Sequence, residues 1–114
     1  MREPVRDKER IQHILDAIET IESSRLKYST SESASEPIIY YGFVKHVEII
    51  GEAVNMLSKE FKAAHPEIEW AAIEGMRHVL VHGYYQISPE QLWDTIDVDI
   101  PALKPSIELL LNSL

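Results

Sequence analysis

Residues 37–61 read PIIYYGFVKHVEIIGEAVNMLSKEF. Within them Phe43, Val44, Val47, Ile50, Val54, Leu57 and Phe61 recur at helical spacing. Pro37 opens the run, and proline suits the first turn of a helix, where its missing N–H is not needed. Ile38, Ile39, Ile49 and Ala53 widen the stripe beyond one face. A helix that is apolar on two sides needs two neighbours, and one of them is open to being another chain. Gly42 and Gly51 lie inside it, each costing up to about 1 kcal/mol relative to alanine. Close approach of another backbone is the expected reason for them. The stretch predicts one continuous helix that ends near Phe61.

Outward from this helix the same period continues. Ile11, Ile14, Leu15, Ile18 and Ile21 predict a first helix over about 7–26. Residues 27–36 are rich in serine with little to bury, and read as an exposed, flexible loop. Pro66 predicts the start of a third helix, with Ile68, Ala71, Ala72, Met76, Val79 and Leu80 inward and Gly83 as its end signal. Ser88, Pro89, Glu90 and Gln91 spell the start of a fourth, with a capping serine, a first-turn proline and a capping-box glutamine. Pro101 is expected to break or kink it before a last amphipathic piece carrying Leu103, Ile107 and Leu109 to Leu111. No strand signal appears. The fold expected is all-α, an antiparallel bundle of four to five helices.

At 114 residues the chain has room for a single domain. Scaling laws give roughly 6,400 Å² of folded surface against roughly 19,000 Å² unfolded, enough for one modest core. Having no cysteine, it has no disulfides, thiolate metal sites or cysteine nucleophile. Four glycines, none in a phosphate-cradling run, argue against a nucleotide-binding loop of the usual kinds. Eleven basic against nineteen acidic side chains leave a net charge of −8, which excludes nucleic-acid binding by bulk electrostatics. Neither a membrane span nor a signal-peptide core is visible, so a cytoplasmic protein without membrane contact is expected.

One stretch departs from this composition. Beyond residue 63 the only basic side chains besides histidine are Arg77 and Lys104, against eight acidic ones. Arg77 stands in MRHVLVHGYY, residues 76–85, which gathers an arginine, two histidines and two tyrosines. Arginine offers a charged bidentate fork to phosphate, and histidine exchanges protons near neutral pH. His78 and His82 share a helix face, whereas Arg77 and His82 are about 140° apart around an ideal helix. One regular helix cannot aim both at one small atom. The gap closes if the helix ends at Gly83, or if two copies face each other. On composition alone, Arg77 reads as a solvated residue paired with Glu74, and His82 as a cation suited to a helix C-terminus. His78 and His82 have the spacing of two zinc ligands but lack H-E-x-x-H and a third ligand, so no metal is expected.

Arg77, His82 and Tyr84 fit the R-x-x-x-x-H-x-Y motif, and in this the chain resembles the HEPN superfamily, specifically its HepT-like toxins. Ile50-Gly51-Glu52-Ala53, Trp70 ahead of Gly75-Met76-Arg77, and Leu92-Trp93-Asp94 extend the similarity over the whole chain, 1–114, as one HEPN-like domain. The resemblance implies a homodimer with the motif lining a cleft at the interface, and a metal-independent endoribonuclease without a cofactor. It implies that Arg77 and His82 are catalytic. It also implies a partner, an MntA-like nucleotidyltransferase antitoxin that neutralises the toxin by adenylylating Tyr84. The position after the arginine, often Asn or Asp in that family, is His78 here; an imidazole can still hydrogen-bond or assist proton transfer, in a supporting role. The alternative is a non-catalytic helical partner of the nucleotidyltransferase, binding a nucleotide or serving as a scaffold.

Overall fold

The computed structural model describes residues 4–82 and 89–114. The first helix, α1 (Pro4–Lys27), buries Ile11, Ile14, Ile18 and Ile21 along one stripe, as the spacing predicts. The long apolar helix, α3 (Pro37–Met56), buries Phe43, Val44, Val47, Ile50, Ala53 and Val54. Its two neighbours both come from its own chain: α1 packs on one side and α5 (Trp70–His82) on the other. At about 2 kcal/mol for each large apolar side chain removed from water, this three-helix contact is the main source of stability.

The first of the sequence expectations to be corrected is the loop at 27–36, which holds a short helix, α2 (Thr30–Ser35). Ser29 caps it by accepting from the Glu32 N–H, and the Glu32 carboxylate accepts from the Ser29 N–H in return. Ser33 is fully buried and donates its hydroxyl to the Ser29 carbonyl at 2.8 Å. The serines that suggested a loop are the residues that close this turn on itself.

The second correction concerns the end of α3. The helix stops at Met56, Leu57 is extended, and Ser58 caps a separate helix, α4 (Lys59–Ala64), which carries Phe61. Ser58 is held by a buried carboxylate: Asp7 accepts from the Ser58 N–H at 2.9 Å and from its hydroxyl at 2.7 Å. This contact ties the start of α1 to the end of α3, so the two helices run antiparallel. In the same way Pro66 lies in a turn and opens no helix; α5 begins at Trp70, whose indole N–H donates to the Lys62 and His65 carbonyls. Starting beside α4, α5 runs back along α3.

The third correction is at Pro101, which does not break the chain of helical residues. Helix α6 (Pro89–Asp94) passes through a π-helical turn, Thr95–Asp99, into α7 (Ile100–Asn112) without interruption. The Ile100 N–H reaches back to the Thr95 carbonyl, so the wide turn shifts the register just before the proline. Pro101 then occupies the first turn of α7, where no N–H is required. Ile96, Ile100, Ile107 and Leu110 stay on the buried side throughout. Lys104 of α7 bonds Glu22 at 2.7 Å, and this hydrogen bond is the first cause raising its pKa above the usual 10.5. Among the described residues the architecture is an all-α bundle of four rods, α1, α3, α5 and the α6–α7 unit, with α2 and α4 as short links.

At Gly42 the expected close approach is absent among the described residues, since a Cβ there would meet nothing within 4 Å. No helix of the described residues is long and apolar enough to cross a membrane.

Replacing Asp7 by alanine leaves the buried N–H and hydroxyl of Ser58 without acceptors. Unfolding stability is expected to drop by about 2–3 kcal/mol, and the melting temperature by roughly 10 °C. A thermal melt shifted by less than about 2 °C would show that this tie is not structural.

Candidate functional site

The motif positions Arg77, His78 and His82 all fall in the last six residues of α5, which remains a regular α-helix to His82. Arg77 and His82 are therefore about 7.5 Å apart along the axis and about 140° apart around it. Their registers differ accordingly. Arg77 follows Ile73 by four and Trp70 by seven, and both of those are buried. His78 and His82 share the register of Ala71, Glu74 and Gly75, which are exposed or half-exposed. Tyr84, with Gly83 and Tyr85, lies outside the described residues.

The wall beside α5 is built by the α6–α7 unit. Gly75 and Met76 face Leu92, Thr95 and Asp99 across a groove of about 360 Å³. Further down α5, a second opening is lined by Glu67, Glu69, Met76, Asp99 and Leu103. Acidic residues edge both openings, and among the described residues neither is lined by a lysine or arginine. Such a wall repels a phosphate chain. Among the described residues no three His, Asp or Glu side chains converge as a metal-binding group.

Helix α6 is too short to hold its place alone, and two side chains fix it. Leu92 is fully buried, and Trp93 packs edge-on against Phe43 and Tyr40, with ring centres 5.5 and 6.3 Å away. The Arg25 guanidinium lies 5.0 Å over the Trp93 ring. It also forks onto Asp97 through Nε at 2.9 Å and Nη2 at 3.0 Å, and Nη2 donates to Thr30 as well. One arginine thus joins α1, α2 and the π-helical turn behind the tryptophan. Burial first, and then the adjacent Tyr41, push the Tyr40 hydroxyl above its ordinary pKa of 10.0, so it stays neutral in this cluster. The roles of Arg25 and Tyr40 in this brace carry no local sequence signal, since Asp97 and Trp93 lie more than fifty residues away. Trp70 and Met76, read as core, do pack into it.

Residues 14–110 match the family described as Ribonuclease HepT-like. The chain belongs to the HepT-like ribonuclease family. A relative from Caldanaerobacter subterraneus subsp. tengcongensis, provisionally named an RNase, is 35% identical over 102 residues, covering 90% of this chain and 91% of that protein. Another from Thermococcus cleftensis, named "Probable ribonuclease HepT", is 34% identical over 103 residues, covering 90% and 94%. In Methanocaldococcus jannaschii a 30% identical protein carries both a gamma-glutamylcyclotransferase and an RNase in its name, and the match spans 91% of this chain but 47% of that one. No solved structure matches the chain.

The brace behind Trp93 depends on the planar fork of arginine. Arg25→Lys keeps the charge but gives up the double contact and the stacking, and is expected to lower stability by about 1 kcal/mol. Equal denaturation midpoints for the two proteins would show that the contact contributes nothing.

Proposed function

We propose that this chain is a cytoplasmic, metal-independent endoribonuclease, the toxin of a toxin–antitoxin pair, acting as a homodimer. The observation that carries the reading is the intact R-x-x-x-x-H-x-Y motif at the end of α5 in a chain of the HepT-like ribonuclease family. The names of its relatives support the same activity.

The chemistry follows from RNA itself. The ribose 2′-OH attacks the adjacent phosphorus, the 2′-proton is taken up by a base, and the 5′-oxygen leaves with a proton from an acid. The products are a 2′,3′-cyclic phosphate and a 5′-hydroxyl. The enzyme has to stabilise the charge that builds on the phosphorane oxygens, the role of the Arg77 guanidinium. It must also move the two protons, the role of His82. His78, four residues before His82 in the same register, supports it by hydrogen bonding. The 140° offset on a straight helix favours a composite site, with Arg77 from one copy and His82 from a second.

Control is by an MntA-like nucleotidyltransferase antitoxin. The Tyr84 phenol attacks the α-phosphate of ATP, loses its proton, and displaces pyrophosphate. The AMP group it gains adds bulk and negative charge beside Arg77, which repels RNA. The acidic groove and the −8 net charge favour a second reading, a non-catalytic partner of the nucleotidyltransferase.

Cleavage of a mixed RNA pool in excess EDTA separates the two. The purified protein is expected to cut, and His82→Ala and Arg77→Ala to lower the rate about 100-fold or more. An inactive wild-type protein would give the second reading precedence. Incubation with the antitoxin and ATP is expected to add AMP at Tyr84 by intact-mass and peptide analysis. Addition at another tyrosine, or none, contradicts the proposed control.

A further inference from the structure

Gly42 lies inside α3, where glycine weakens a helix, and a Cβ there would touch nothing within 4 Å. No packing among the described residues accounts for it. The space it leaves belongs to a cavity of about 200 Å³ between α1 and α3, lined in part by Ser24, Tyr28, Ile39, Gly42, Phe43 and His46. The apolar walls are supplied by isoleucines and a phenylalanine. The polar atoms are few and uncommitted. His46 Nδ1 lies 2.8 Å from the Gly42 carbonyl, which can only accept, so Nδ1 carries the proton. In the neutral form of the ring Nε2 is then left as an acceptor. Neither the Ser24 nor the Tyr28 hydroxyl has a hydrogen-bond partner among the described residues.

Two lysines adjoin lining residues along the chain. The Lys27 ammonium lies 5.4 Å from the centre of the Tyr28 ring. Lys45, next to His46, is 64% exposed and reaches Glu48 only at 3.6 Å. An aromatic and aliphatic slot with two hydroxyls, one imidazole acceptor and a basic edge is complementary to one ligand chemistry, a flat heterocycle bearing a phosphate. A hydrocarbon chain would leave the three polar groups unmet, and a bare phosphate would leave the apolar walls empty.

We infer that the cavity opened by Gly42 is a nucleotide site, with the base held inside and its phosphate at Lys27 and Lys45. Helix α5 runs about 18 Å back along α3 from Trp70, which brings its motif end level with the part of α3 that carries Gly42 and His46. The nucleotide is a unit of the RNA substrate or a free mononucleotide, and the first of these rests on the ribonuclease reading.

Titration of the full chain with AMP, and of its His82→Ala form with a short oligoribonucleotide, is followed by NMR at the His46 and Tyr28 rings. Both rings are expected to shift. Gly42→Leu, which fills the cavity, is expected to weaken binding of the effective probe at least tenfold. Gly42→Ala, which favours the helix, is expected to melt no lower than wild type and to bind in between. Should the leucine variant fold poorly, Tyr28→Phe provides the test, with a several-fold loss expected. Much tighter binding of the oligoribonucleotide assigns the site to substrate, and equal binding assigns it to a free nucleotide. Unmoved His46 and Tyr28 resonances with both probes overturn the proposal, as does binding by Gly42→Leu within twofold of wild type. RNA cutting that persists beside either result leaves the ribonuclease reading standing. AMP binding at His46 without any RNA cutting keeps the pocket and removes that reading.

Discussion

The structure depends on the two-sided burial of α3. A helix with apolar residues on one face needs one neighbour, but Phe43, Val44, Val47, Ile50, Ala53 and Val54 require cover from both sides. Helix α1 covers one side and α5 the other, so α5 is held along its length by the most apolar element of the chain. The motif rides on that helix. A regular α5 to His82 keeps the backbone positions of Arg77 and His82 about 140° apart around its axis.

Much of this was legible in the residues. The stripes of α1 and α3 follow a 3.6-residue period closely, and burial agrees with them nearly side chain by side chain. The misreadings occur where a serine caps a helix. Ser29 and Ser58 each start a short helix, and the second is fixed by Asp7, fifty-one residues earlier in the chain. Short caps of this kind compete with neighbouring signals: the apolar period ran through Leu57 to Phe61 and hid the break. Pro101 misled for a different reason. A π-helical turn uses i to i+5 bonding to absorb the register change, and no composition signal marks it.

The candidate site divides in the same way. Arg77, His78 and His82 stand out in the sequence because the motif is contiguous, and all three positions fall within one helix. The surroundings were not. The Arg25, Trp93 and Asp97 brace, and the cavity beside Gly42, are made by side chains from distant parts of the chain. Gly42 did carry a signal, a glycine inside a strong helix, but the close backbone it suggested is open space among the described residues.

The acidic wall along α5 and the offset of the motif lead to one claim, that a working site is completed by a second copy. Mixed dimers of Arg77→Ala and His82→Ala chains test it most directly. Neither variant alone can cut, but a mixed dimer retains one site with arginine from one chain and histidine from the other. Recovery of RNA cleavage to about half the wild-type rate per dimer is the predicted result. Mixed dimers that form and remain inactive would contradict the composite site.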